Sequence, residues 1–176
     1  MDKETFSKLY HNTLHLIHIW FEDRKDKGGN DYVKHLYAVA DAIEDELSEL
    51  DFDESYEVIR DRYQKAIIVG LLHDILEDTE CPESELRRIG CDDEIIEAIK
   101  SVTRRNDEHK YFDFIKRAKE NSIGRIVKKY DLKNNMDVTR LKTFGDYEMK
   151  RLKKYWYSYK YITDEISKYE LDKVKL

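Results

Sequence analysis

Four ionisable side chains follow an entirely apolar stretch of the chain. Residues 66–79 read A-I-I-V-G-L-L-H-D-I-L-E-D-T, and the second half of this run carries His73, Asp74, Glu77 and Asp78. In a helix, positions four apart share a face, so the histidine lies above the glutamate and one aspartate above the other. Burying unpaired carboxylates is costly, and the neighbouring positions supply no Lys or Arg. The run therefore needs basic partners, a bound cation or contact with solvent.

Two of these solutions are compatible with the run. In the first, His73 and Asp74 are metal ligands, while Glu77 and Asp78 act on water or substrate nearby. In the second, the acids reach solvent at the end of a helix and the histidine is a hydrogen-bonded core residue. The run alone leaves both interpretations open.

The composition favours a helical protein with charged outer faces. Of 176 residues, 40% are hydrophobic and 40% are charged, with only six Gly and one Pro. We therefore predict an all-α chain, a compact helical bundle that forms a single domain over residues 1–176.

Charge and hydropathy limit the possible partners. A net charge of −6 argues against general nucleic-acid binding, although a few local cations can still hold a small phosphorylated ligand. Cys81 and Cys91 lack a metal-type spacing, so we expect free thiols in a reducing compartment. With no apolar run of membrane length and no signal peptide, we expect a cytoplasmic protein without membrane contact.

Apolar residues at helical spacing predict the elements that must position the 66–79 run. Two helices are predicted before the run, at 5–21 and 32–50. The organising helix, which contains the run, follows a turn at 51–53 and continues to residue 79. Five further helices are predicted at 84–90, 94–104, 111–119, 122–137 and 146–172.

Two of these helices carry further candidate ligands. His35 lies on or beside the apolar face of the second helix, where a lone histidine is usually a core residue. It becomes a candidate because a metal at His73 and Asp74 needs donors from another helix. Asp131 lies at the edge of a buried face, where it could complete the coordination sphere or be a solvated acid or a salt-bridge partner. Asn135, one turn later, could hold a ligand oxygen or orient a neighbour.

The polar loop between the first two helices contains Arg24 and Lys25. A guanidinium offers a planar stacking surface and a fork of donors for phosphate, so these cations could contact a phosphorylated ligand. Alternatively, these cations belong to an ordinary charged segment that is exposed to solvent.

Three histidines of the first helix could suggest a second metal site. His11, His15 and His18 occupy positions i, i+4 and i+7, but no carboxylate cluster accompanies them. We therefore expect packing or surface residues.

The last helix contains the aromatic segment Y-W-Y-S-Y-K-Y at 155–161. Aromatic rings between lysines could stack on single-stranded nucleic acid. Helical spacing instead places Leu152, Trp156 and Ile162 inward, which favours packing or a homo-oligomer contact through this helix.

Taken together, the motifs resemble the HD-domain metal-dependent phosphohydrolases. That superfamily places a histidine on one helix, a His-Asp pair on a later buried helix and an aspartate on a third, as His35, His73, Asp74 and Asp131 are placed here. The stretches R-K-D at 24–26, G-G-N-D-Y-V-K-H, L-L-H-D-I-L-E-D-T and D-L-K-N-N-M narrow the resemblance to the hydrolase domain of RelA/SpoT-type (p)ppGpp enzymes and their small stand-alone relatives. The resemblance covers residues 22–141.

The resemblance implies that one divalent ion, usually Mn²⁺ with Fe²⁺, Zn²⁺ or Mg²⁺ as alternatives, binds to His35, His73, Asp74 and Asp131. It also implies that the two acids at 77 and 78 handle the attacking water. Arg24 and Lys25 are expected near a nucleotide, and Asn135 at its sugar or base. The expected reaction is hydrolysis of the 3′-pyrophosphate of (p)ppGpp. Alternatives are an HD phosphatase of another nucleotide or small phosphate ester, and a non-catalytic protein that senses a nucleotide or holds a partner.

Overall fold

The computed structural model describes residues 1–26, 28–50 and 56–175, and the regular elements of this part of the chain are helices. The all-α prediction is therefore confirmed. The predicted turn at 51–53 lies outside the described residues. In chain order the helices are α1 (Lys3–Trp20), α2 (Val33–Ser48), α3 (Tyr56–Leu72), α4 (Ile75–Asp78), α5 (Glu83–Ile89), α6 (Asp93–Val102), α7 (Tyr111–Glu120), α8 (Ser122–Asn135), a 3₁₀ turn (Val138–Arg140), α9 (Asp146–Ile162) and α10 (Lys168–Asp172).

Helix α3 forms the centre of the bundle. Its second half is buried on every side, and α1, α2, α6 and α8 pack around it. The contact with α2 is close because Gly70 has no side chain: a Cβ there would lie 3.1 Å from Ile43 Cδ1 and 3.4 Å from Ala40 Cα. Helix α2, which carries His35, is thereby held against the end of α3.

The organising helix ends earlier than the sequence predicts. We expected it to continue to residue 79, but α3 ends at Leu72, and α4 begins after a turn formed by His73 and Asp74. The ring of His73 bonds the carbonyl oxygen of Gly70 at 2.7 Å through Nδ1. In an uninterrupted helix, that carbonyl would accept the N–H of Asp74. The side chain thus competes with the helix for the same acceptor.

The last predicted helix, 146–172, is also divided. Helix α9 ends at Ile162, and Asp164 takes a left-handed φ of 63° before α10. The inward prediction for Trp156 is wrong, since its side chain is 46% exposed. The buried positions of α9 are Ser158 and Ile162, and the ring of Tyr155 packs on the core beside them. A tyrosine can line a core edge while its hydroxyl reaches a polar partner, which shifts the inner face by one position.

Within the described residues, no helix has both the length and the apolar character needed to cross a membrane.

Candidate metal centre and its cavity

Helix α2, the turn after α3, and α8 bring the predicted ligands together. His73 Nε2 lies 3.2 Å from His35 Nε2 and 3.0 Å from Asp74 Oδ2. Asp131 Oδ1 lies 3.4 Å from His35 Nε2 and 3.7 Å from His73 Nε2. Donor atoms that share one ion at about 2.1 Å lie roughly 3.0–3.4 Å apart. His35 Nε2 lies 3.7 Å from Asp74 Oδ2, so this pair and the His73–Asp131 pair are slightly wider than that range. As a donor set, two imidazole nitrogens and carboxylate oxygens suit a first-row divalent ion such as Mn²⁺, Fe²⁺ or Zn²⁺.

Both histidines present Nε2 to this point because Nδ1 is occupied elsewhere. His73 Nδ1 faces the Gly70 carbonyl oxygen, which can only accept, so Nδ1 carries the hydrogen. His35 Nδ1 lies 2.7 Å from Asn134 Oδ1. Arg140, which can only donate, bonds the same Asn134 atom, so that atom is the amide oxygen. Hydrogen bonds of this kind fix the tautomer and orientation of metal-ligating histidines.

The protein groups of the cluster balance one another in charge. Burial by itself would lower the pKa of His73, but Asp74 and Asp131 raise it to about 10. Burial also opposes ionisation of Asp74, yet the facing His73 ring lowers the pKa of its carboxyl to about 2. Burial likewise opposes ionisation of Asp131, but Lys128 Nζ, 2.7 Å from Oδ2, brings the pKa of the carboxyl well below its ordinary value. An imidazolium and an ammonium therefore face two carboxylates.

The acids of α4 lie beside this cluster. Glu77 Oε2 accepts the backbone N–H of Arg104 at 2.9 Å. One side of Glu77 reaches solvent, but the surrounding wall partly buries the carboxyl and raises its pKa. Asp78 is tied to the metal ligands through Tyr32, whose hydroxyl lies 2.9 Å from Asp78 Oδ2 and 2.7 Å from Asp74 Oδ2. Sequence reasoning missed Tyr32, although it lies one helical turn before His35.

The cluster forms the floor of a cavity of about 540 Å³, a size suited to a small-molecule ligand. Arg24, Lys25 and Asn135, the predicted substrate-binding residues, all line it. Asn135 Nδ2 also donates to Asp131 Oδ1, so its amide orients a neighbour, as one of the sequence alternatives proposed. The cationic side chains of the cavity are Arg24, Lys25, Arg104, Lys128, Arg140, Arg151 and Lys154.

Helix α9 supplies a wall that the sequence did not predict. Arg151, Lys154 and Tyr155 line the cavity from this side, and Tyr111 of α7 completes the wall. Arg151 donates to the Tyr155 hydroxyl at 3.1 Å, and Lys154 Nζ lies 4.2 Å from the centre of the Tyr111 ring. Part of the aromatic and basic character of α9 therefore belongs to the cavity rather than to the outer surface.

The remaining site residues differ in how visible they are in the sequence. Lys128 lies three positions before Asp131 on α8, a spacing that predicts an ion pair. Asn134 and Arg140 gave no such signal, because their roles depend on contacts between α2, the end of α8 and the loop before α2.

The α1 histidines lie away from this cluster and are exposed, in agreement with the surface interpretation. His11 Nδ1 bonds the Ser7 carbonyl at 2.7 Å, and His18 Nε2 bonds the Tyr37 hydroxyl at 2.7 Å. Across the described ranges, the metal-type grouping of His, Cys and acids is His35, His73 and Asp74; Asp131 lies beside this group and outside it, and no α1 residue belongs to it.

Over the described residues, the fold and the cluster define an all-helical chain with a buried His/Asp group under a cavity lined by both cations and acids. No protein-family model matches the chain, and no curated protein is significantly similar to it. Function is therefore inferred from the residues and their geometry.

Proposed function

We propose that this protein is a metal-dependent phosphohydrolase of the HD-domain type that acts on a nucleotide. One observation carries the proposal: Nε2 of His35 and Nε2 of His73 lie 3.0–3.7 Å from each other and from carboxylate oxygens of Asp74 and Asp131, on the floor of a cavity whose walls carry several cations. These four residues would hold a divalent ion, with Mn²⁺ our first choice. Such an ion would supply Lewis-acid chemistry by acidifying water and neutralising phosphoryl charge.

The two acids of α4 suit the handling of a water molecule. Partial burial raises the pKa of Glu77, which brings a carboxylate closer to the range in which it accepts a proton efficiently. The Arg104 N–H and the Tyr32 hydroxyl hold the Glu77 and Asp78 carboxylates in place. We therefore assign proton transfer to Glu77 and water orientation to Asp78.

With a divalent ion in place, the cations of the cavity lining outweigh its acids and favour an anionic substrate. A divalent ion that replaces the extra proton of His73 adds one positive charge to the floor. Guanidinium groups on the walls can hold phosphate oxygens with two donors, and the Tyr111 and Tyr155 rings offer surfaces for a base. With the motif resemblance, these features support (p)ppGpp as the first substrate to test, with removal of its 3′-pyrophosphate as the reaction.

Turnover by the purified protein tests the proposal. With Mn²⁺, we expect release of pyrophosphate from ppGpp, or of phosphate from another nucleotide or small phosphate ester in a parallel panel. Asp74→Ala should abolish turnover while the helical circular dichroism stays unchanged. Asp45→Ala, which removes an exposed acid from α2, serves as the matched control and should keep full activity.

Two outcomes would contradict the proposed activity. One is no turnover over the whole panel with Mn²⁺, Fe²⁺, Zn²⁺ and Mg²⁺. The other is tight nucleotide binding without turnover, which would support a nucleotide-sensing protein instead.

A further inference from the structure

Arg140 joins two parts of the site that are far apart in sequence. It ends the 3₁₀ turn after α8, and its side chain is largely covered, with 24% exposed. One guanidinium nitrogen, Nη1, donates to the side-chain oxygen and, at 3.2 Å, to the carbonyl of Asn134. The other, Nη2, donates to Asp26 Oδ2 at 3.0 Å. The fork of Arg140 is therefore divided between α8 and the loop before α2.

On one side, the network ends at a predicted metal ligand. The Asn134 oxygen that accepts from Arg140 also accepts the Nδ1 hydrogen of His35 at 2.7 Å. A histidine presents Nε2 to a metal in a fixed direction only while Nδ1 is held. Arg140 keeps the Asn134 amide from rotating and so keeps the oxygen toward His35.

On the other side, the network ends in the loop that carries Arg24 and Lys25. Asp26 organises this loop, since its carboxylate accepts the backbone N–H of Asn30 at 2.8 Å. The Asp26 N–H also donates to the Asn30 carbonyl at 2.8 Å. The loop lies against the backbone of the 3₁₀ turn, where a Cβ at Gly28 would overlap the Arg140 carbonyl oxygen. The contact between Arg140 and Asp26 is thus one of several close contacts between this loop and the 3₁₀ turn.

We propose that Arg140 is a positioning residue that couples metal binding at His35 to the conformation of the Arg24–Lys25 loop. The coupling rests on the proposed metal site but not on turnover. Metal binding favours one His35 orientation, that orientation favours one Asn134 rotamer, and Arg140 transmits the preference to Asp26. Conversely, an ordered loop holds Arg140 and prepares His35 for the metal, since linkage between two sites is reciprocal.

Mn²⁺ titration and amide hydrogen exchange test the coupling in the full chain. Arg140→Met should weaken Mn²⁺ binding roughly 10- to 100-fold, the usual effect of losing a residue that orients a ligand. Asp26→Asn should weaken it in the same direction, although Asp26 is no candidate ligand, and the double variant should bind no more weakly than Arg140→Met. In the wild type, Mn²⁺ should slow amide exchange in residues 21–32, whereas in Arg140→Met it should not.

Two further variants separate positioning from folding and from charge. Arg140→Lys keeps the charge but loses the fork, so it should fold normally and still uncouple the loop from the metal. Lys142→Met removes an exposed cation that also lies against this loop, and it should bind Mn²⁺ like the wild type. If the wild type binds Mn²⁺ and both Arg140 variants bind it equally well, the coupling is wrong and the metal site stands. If the wild type binds none of Mn²⁺, Fe²⁺, Zn²⁺ and Mg²⁺, the metal site and the coupling are both wrong.

Discussion

His73 is the residue whose protonation must change when a metal binds. Its neighbours Asp74 and Asp131 outweigh burial and raise its pKa to about 10, so at pH 7 the ring carries a proton on Nε2 in protein stripped of metal. Nδ1 cannot give way because it donates to the Gly70 carbonyl. The ring becomes a ligand only by losing the Nε2 proton.

Mn²⁺ binding at pH 7 should therefore release about one proton from His73. The apparent affinity should rise about tenfold per pH unit while the pH remains below that pKa. Isothermal titration calorimetry in buffers of different ionisation enthalpy measures the released protons directly. His15→Gln, a change at an exposed α1 residue, should leave the number unchanged. A binding heat that is the same in every buffer would contradict this expectation.

In the proposed function, Glu77 transfers a proton but does not bind the metal, so its substitution distinguishes the two roles. Glu77→Gln should lower kcat by roughly 10²–10⁴-fold, because the amide cannot accept a proton. Mn²⁺ affinity should stay close to wild type, since Glu77 contacts the Arg104 backbone and is not among the converging donors. Turnover and calorimetry on the same samples check both statements, with the exposed Glu80→Gln as control. Retained kcat would remove Glu77 from the mechanism.

Residue types and helical spacing marked His35 and Asp131 as candidates, and the resemblance to HD-domain enzymes joined them with His73 and Asp74. His35 and Asp131 are chargeable groups at the edges of apolar faces, and such positions on neighbouring helices point toward a shared interior. The bonds that orient them were not predictable. Asn134, Arg140 and Tyr32 act through contacts that exist only once α2, α4 and α8 are packed.

At the scale of elements, the position of α8 depends on its contact with α6. Gly124 lies in the first turn of α8, where a Cβ would overlap Ser101 Oγ of α6. Ser101 cannot easily turn away, because its hydroxyl donates to the Ala98 carbonyl at 2.7 Å. The close approach of the two helices sets the depth of Asp131, two turns further along α8.

Gly124→Ala should destabilise the protein by about 1–3 kcal/mol, the usual cost of forcing extra volume into a packed contact. Helix propensity alone would favour alanine by about 1 kcal/mol, so a loss of stability reports the overlap. Urea unfolding measures the change. Ser101→Ala should recover part of the loss in the double variant, since the overlapping oxygen is gone. Simple additivity of the two changes would contradict a direct contact.

The apolar pattern predicted most helices but not their interruptions. Residues 66–72 read as buried and are buried, yet nothing in the pattern shows that the His73 ring will take the Gly70 carbonyl and end α3. In α9 the helical spacing of the apolar residues was recognisable from the sequence. Which of Tyr155 and Trp156 faces the core depended on which polar atom finds a hydrogen-bond partner there. Both decisions belong to side chain and backbone hydrogen bonding rather than to hydrophobicity.

At the scale of the whole molecule, the cluster links stability to pH. The raised pKa of His73 contributes stability that is present below its unfolded value of 6.5 and is lost as the pH rises toward 10. The lowered pKa values of Asp74 and Asp131 contribute stability that is present above 3.8 and is lost as the pH falls, for Asp74 toward 2. In the presence of a chelator, the contribution of the cluster is therefore largest between these two unfolded values.

Mn²⁺ should offset the loss of stability that accompanies deprotonation of His73 as the pH rises. The ion binds the deprotonated His73 ring, so it stabilises more at pH 8 than at pH 6. At 100 times its Kd it adds about 2.7 kcal/mol to the free energy of unfolding, which for a chain of this size raises Tm by roughly 5–10 °C.

Thermal unfolding between pH 5.5 and 8, with chelator and with Mn²⁺, measures both effects. With chelator, Tm should fall across this range, and with Mn²⁺ the fall should shrink or disappear. Because His73→Gln removes the titrating ring, its chelator curve should be flatter than that of the wild type. Parallel wild-type curves with and without Mn²⁺ would show that the ion does not compete with the His73 proton.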